Sequence, residues 1–184
     1  MATLFVDKID PQSGTALEIG TSGDTITIPS GATLVNSGTA TGFNNPAFYA
    51  YLSSDQTINN TTTTEVTFDT EVYDTNSDFA SNIFTPTVAG KYNLTMSLSV
   101  YSNAAINTCN GSIFKNTTEI ARNANYKIGT TQAAGFFTQT QKVVAEANGT
   151  SDYFKVKFYH DYGSTRDLKG LQYMTFFHGH RIGT

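Results

Sequence analysis

Residues 90–102 read GKYNLTMSLSVYS, and their alternation decides the fold. Tyr92, Leu94, Met96, Leu98 and Val100 fall on one side of an extended chain, and Asn93, Thr95, Ser97 and Ser99 on the other. Successive side chains of a strand point to opposite faces, so this is a strand with one face in a core and one polar face. The pattern returns in DYFKVKFYH (152–160), with Phe154, Val156 and Phe158 inward and Lys155 and Lys157 outward, and more weakly in FFTQTQKVVAE (136–146). Further strands are predicted near 47–53, 65–73, 83–86, 111–115, 118–122 and 171–182, separated by clusters of Asn, Asp, Gly and Thr. Nowhere do apolar residues recur at the three-and-four spacing of a helix. The chain reads as all-β, an antiparallel sandwich or barrel.

Composition sets the bounds. With 184 residues there is room for one ordinary domain of ~100–200 residues and an appendage. A hydrophobic share of 39%, with 13 Phe and 10 Tyr, can furnish a core, while the low charged share of 14% and the abundant Thr favour strands. The formal charge of −4 offers no broad basic field, which disfavours nucleic acid and other acidic partners. Cys109 is the only cysteine, so no intrachain disulfide can form. No stretch approaches the ~18 apolar residues of a membrane helix, and MATLFVDKID has no basic start leading into a long apolar run. The expectation is a chain made soluble, without membrane insertion.

Three segments are expected. Residues 1–15 carry an apolar cluster, Leu4, Phe5, Val6 and Ile9, read as an anchor that docks on another protein rather than as a frayed terminus. Residues 16–43 are mostly Gly, Ser, Thr and Ala, yet Leu17 and Ile19, then Ile26 and Ile28, stand two apart between the turn signals Gly23-Asp24 and Pro29-Ser30-Gly31. That spacing predicts short one-sided strands that bury too little alone. Residues 44–184 form the head.

VTFDTEVYDTNSDFASNIFTPTVAGKYNLTMSLSV (66–100) resembles the opening half of the jelly-roll head shared by the q subunit of complement's first component and the tumour-necrosis-factor ligands. FTPTVAGKYNL (84–94), IFKNTTEIA (113–121) and YMTFFHGHRI (173–182) follow in the family's order, the last departing from it at His178 and His180. The resemblance implies a homotrimer about a threefold axis above a trimeric stalk. Three copies of residues 16–43 would then complete one another, with Leu17, Ile19, Ile26, Ile28 and Leu34 along the axis. ALEIGTSGDTITIPSGATL (16–34) further resembles repeats in fibre and decoration proteins of tailed bacteriophages. That resemblance implies a location on the virion surface, with other virion proteins held through the N-terminus.

Chemistry-bearing candidates are few. Asp74, Asn76 and Asp78 have an alternating spacing that can present oxygens to calcium, but Phe79 stands where a glycine would, and no suitably placed Glu follows. A polar turn is the preferred reading. His178 and His180 would gather six imidazoles on a threefold axis, which suits a transition metal. An ordinary hydrogen-bonded or surface pair is preferred. His160, Asp161 and Ser164 are too close in sequence to form a hydrolytic trio, and there is no Gly-x-Ser-x-Gly turn. Glu65, Glu71, Glu119 and Glu146 lie in separate strands or loops and give no readable carboxylate pair. Tyr101, Tyr126, Tyr159 and Tyr162 are candidates for a binding patch or for packing.

The sequence therefore reads as a non-enzymatic, cofactor-free virion structural protein, a capsid-decoration or fibre protein whose head contacts a host-surface glycan or protein. A tail-fibre receptor-binding protein and a free lectin-like module are the alternatives, and a glycan hydrolase comes third.

Overall fold

The computed structural model describes residues 9, 15–17, 19–35, 37, 45–102, 108–126 and 135–183. The chain divides into two units, Met1–Gly42 and Phe43–Thr184.

In the first unit the two turns fall where the glycines place them. The Asp24 amide donates to the Thr21 carbonyl (3.0 Å), and the Ala32 amide to that of Pro29 (3.0 Å). Gly23 (φ +95°) and Gly31 (φ +87°) occupy the third position of each, a left-handed conformation that glycine adopts without steric cost. The Asp24 carboxylate accepts from the Thr21 amide at 2.7 Å and from its hydroxyl at 3.0 Å, which lowers its pKa. The expected short strands are not formed among the described residues. A ladder needs a partner for every second amide and carbonyl, and one copy of this sparse sequence supplies none. Leu17, Ile19, Ile26, Ile28 and Leu34 are all exposed, from 45% for Leu17 to 70% for Leu34.

The second unit is a sandwich of two antiparallel sheets. Its strands are β1 (Ala47–Tyr51), β2 (Gln56–Ile58), β3 (Thr64–Glu65), β4 (Thr70–Asp74), β5 (Phe79–Ala80), β6 (Ile83–Phe84), β7 (Gly90–Ser102), β8 (Thr108–Lys115), β9 (Thr118–Tyr126), β10 (Gly135–Ala147), β11 (Phe154–His160), β12 (Arg166–Leu168) and β13 (Phe176–Gly183). The first sheet runs β2-β12-β7-β13-β1-β4, with β10 on the free side of β7, and the second runs β5-β6-β11-β8-β9, with β3 also on β11. The all-β jelly roll expected from the sequence is the fold observed.

β7 and β10 pair over 13 residues, from Gly90 opposite Ala147 to Ser102 opposite Gly135. Tyr92, Leu94, Met96, Leu98 and Val100 of β7 are fully buried against the second sheet, as their alternation requires. The polar face of β7 is less open than the sequence suggests, because Thr95, Ser97 and Ser99 are also buried. Larger side chains on the neighbouring strands overhang them: His178 lies opposite Thr95 and Phe176 opposite Ser97.

The core centres on Phe48, stacked on Phe84 (centroids 4.1 Å) and Phe79 (5.2 Å) and edge-on to Phe177 (5.0 Å). The Tyr92 ring joins this cluster, its hydroxyl donating to the Val88 carbonyl at 2.6 Å, and burial drives its pKa up to about 12. The buried Gln139 of β10 replaces an apolar residue on the inner face, donating to the carbonyl (2.9 Å) and Sγ (2.7 Å) of the fully buried Cys109 and so tying the two sheets together.

Four predicted strands are shorter than expected: 47–53 and 83–86 each end two residues early, as β1 and β6, and the other two are interrupted for visible reasons. The 65–73 run divides into β3 and β4 because the chain crosses there from one sheet to the other, Val66 and Phe68 plugging the core on the way. Asp69 secures the crossing, its carboxylate accepting from the Ser53 amide and hydroxyl, both at 2.8 Å. The 171–182 run becomes a strand only at Phe176, since a turn closed by Met174 donating to the Leu171 carbonyl (2.8 Å) precedes it.

Candidate functional site

The sandwich presents two faces with different chemistry. On the outer face of the first sheet, the register places Tyr49 of β1 between Tyr73 of β4 and His178 of β13, with Phe176 next along β13. The four rings surround a shallow depression of about 290 Å³. Tyr49 packs edge-on to Phe176 (5.5 Å) and His178 (5.9 Å) and lies 6.2 Å from Tyr73. Its hydroxyl donates to the Gln172 carbonyl at 2.6 Å, and burial raises its pKa. His178 is pushed below its ordinary value by burial first, then by His180 and Lys142, which keeps the imidazole neutral. Tyr73 and Val144 are about half exposed, at 47% and 55%. The four rings make an apolar patch on a sheet whose opposite face is core, with the cationic Lys142 beside it across Thr95.

The outer face of the second sheet is polar. A depression of about 420 Å³ lies over β8, β9 and β11, lined by Asn110, Ser112, Phe114, Glu119, Arg122, Lys157 and Tyr159 among others. Arg122 holds Glu119 through two hydrogen bonds of 2.5 Å, and the Lys157 ammonium sits 4.7 Å from the centre of the Phe114 ring. The Asn110 side-chain oxygen is buried without a hydrogen-bond partner.

The residues singled out in the sequence are placed as follows. The Asp74 carboxylate accepts from the amides of Asn76 (3.3 Å) and Phe79 (2.7 Å), while the buried Asp78 accepts from the Thr87 amide (3.2 Å) and hydroxyl (2.8 Å). The two aspartates thus serve their own loop and the next one, as a polar turn would. His178 and His180 share the outer face of β13, and the described residues of one chain bring no third metal-ligating group to them. His160 is a core residue: Nε2 faces the Ile58 carbonyl at 3.1 Å, and Nδ1 receives the Tyr162 amide at 3.4 Å. Asp161 accepts from the Thr108 amide and Ser164 from Arg166, so the three do not converge. Glu65 pairs with Lys155 at 3.0 Å, and Glu71 and Glu146 are exposed on the first sheet. Tyr159 lines the polar depression, Tyr162 is packed inside, Tyr101 packs edge-on to Phe136, and the Tyr126 side chain lies outside the described residues. Of the anchoring cluster, Ile9 is exposed, and Leu4, Phe5 and Val6 lie outside the described residues.

Tyr159 and His178 are singled out in the sequence, but the groupings they belong to are not. Tyr49, Tyr73 and Phe176 converge only through strand pairing, and Asn110, Arg122 and Lys157 come from three strands. The usable signals were single residues: the outward Lys157 and the binding-patch candidate Tyr159 on one face, and His178 on the other.

No protein-family model matches the chain, and no curated protein matches its sequence. Among solved structures it is similar to murine APRIL, with a TM-score of 0.58 and 12% identity over 76% of this chain and 100% of that one. It is also similar to Eiger TNF from S. frugiperda, with a TM-score of 0.53 and 10% identity over 76% and 92% of the respective chains. The head therefore has the jelly-roll fold seen in tumour-necrosis-factor ligands, and the resemblance read in residues 66–100 holds at the level of fold.

Proposed function

We propose that the chain is a non-enzymatic homotrimeric display protein whose aromatic first-sheet face packs against two other copies around a threefold axis. The observation that carries this reading is the cluster of Tyr49, Tyr73, Phe176 and His178, an apolar surface left open on a single copy. Aromatic residues gathered on one face are characteristic of interface cores, and a ring of identical head-to-tail contacts closes at a finite size. The stem favours the same assembly, because Leu17, Ile19, Ile26, Ile28 and Leu34 are exposed and three copies would supply partners to one another. On the likeness of residues 16–34 to phage fibre and decoration repeats, we place the trimer on a virion surface. Residues 1–15 hold it to other virion proteins, and residues 44–184 are presented outward. Three heads on one particle raise effective concentration, so weak host contacts suffice.

Mass measurement by light scattering tests the trimer: the parent chain is expected at three times 19.9 kDa, and a monomeric parent overturns the reading. Immunogold microscopy with a head-directed antibody tests the location. Gold on the capsid supports decoration, gold on the tail moves the protein to receptor binding, and particles without gold favour a free lectin-like module.

A further inference from the structure

We propose that the depression on the outer face of the second sheet binds a carboxylate-bearing sugar, with Lys157 and Asn110 as its principal contacts. This rests on the display reading above and specifies what the head would engage. Three features argue for it. The space of about 420 Å³ lies within the ~300–1,000 Å³ usual for small-ligand sites, and all its walls but Thr63 are strand residues that hold their side chains in fixed register. Second, two cations and one carboxylate line it, a surplus of one positive charge on a chain whose formal charge is −4. Among the described residues Lys157 makes no ion pair; its partner is the Phe114 ring. A single carboxylate would satisfy that ammonium, whereas a dianion would meet Glu119. Third, the Asn110 oxygen is buried and unpartnered, a state that is costly until a donor arrives. A sugar hydroxyl is such a donor, and the Ser112 hydroxyl and the Glu119–Arg122 pair offer acceptors and donors to the rest of a polyol. The apolar face of a pyranose can lie against Tyr159 or Phe114. Because this face is across the sandwich from Tyr49 and Phe176, trimer formation leaves it open.

The test is a glycan array probed with the full chain, carrying uronate- and sialate-bearing oligosaccharides beside neutral ones. Acidic glycans are expected to be retained over neutral ones and to weaken with added salt. Lys157→Ala and Asn110→Ala are each expected to reduce binding about tenfold or more, while Lys142→Ala, on the other sheet, leaves it unchanged. Retention of no acidic glycan, equal retention of neutral ones, or full binding by Lys157→Ala at an unchanged melting temperature would each overturn the proposal. Mass measured on the same samples separates the two readings: a trimer that ignores acidic glycans sinks this inference alone, and a monomer that binds them sinks the assembly alone.

Discussion

Gly111 shows how little room the two sheets leave between them. A methyl group at this position would lie 2.7 Å from the Met96 side chain and 2.9 Å from that of Leu98, both on the facing strand β7. Gly111→Ala is therefore expected to cost about 1–3 kcal/mol through overpacking, read as a lower denaturant midpoint at constant slope. His160 makes a prediction about pH. Burial lowers its pKa from the ordinary 6.5, and its two ring contacts fit the neutral form, Nε2 donating to Ile58 and Nδ1 accepting from Tyr162. The unfolded chain binds more protons than the folded one between that lowered value and 6.5, so stability rises with pH across the window. It is fully present above 6.5 and lost as pH falls through the folded value; His178 adds in the same direction. The unfolding midpoint should be lower at pH 5 than at pH 7.5, and His160→Gln should narrow the gap. An equal gap in that variant would assign the dependence to other groups.

At the scale of elements, the turns do as much as the strands. Asn116 begins the β8–β9 turn at φ +55°, and it ties that turn to the loop before β11. Its amide donates to the Tyr153 carbonyl (2.8 Å), its side-chain oxygen accepts from the Tyr153 amide (2.9 Å), and its side-chain nitrogen donates to Asp152 (3.0 Å). Asn116→Ala loses the side-chain bonds and forces a left-handed backbone on alanine, so thermal unfolding should show a loss of roughly 1–3 kcal/mol. Asn116→Asp keeps the acceptor but places a second carboxylate beside Asp152, and should fall between the two. The elements legible in the sequence were those with long alternation, β7, β10 and β11, because each has one face on the core along its whole length. β2, β5 and β12 span two or three residues apiece and carry no period to read. Their pairing is decided by the strands they lie against, as Leu168 of β12 is by Val100 of β7.

For the whole molecule, the fold was legible and the surfaces were not, and the same physics accounts for both. A core face repeats along one strand, whereas Tyr49, Tyr73 and Phe176 meet only once β4, β1 and β13 are in register. Charge on that shared face should break the assembly without harming the sandwich behind it: Tyr49→Asp with Phe176→Asp is expected to give a folded monomer by light scattering. A trimer in that variant would move the interface elsewhere. In the stem, Ile26→Asp with Ile28→Asp should make residues 16–43 protease-sensitive while the head persists. Unchanged resistance would count against mutual completion by three copies. Deleting residues 2–10 should abolish incorporation into particles without unfolding the head.

The lone thiol of Cys109 is enclosed between the sheets under Gln139. With no other sulfhydryl to compete, it can serve as a clock for opening of the sandwich. A thiol-reactive reagent gains access only in molecules whose two layers have parted, so the labelling rate counts those events under native conditions. A rate that matches the global unfolding equilibrium would mean the layers part only when the whole domain melts. A faster one would reveal a hinge between them that no static picture displays.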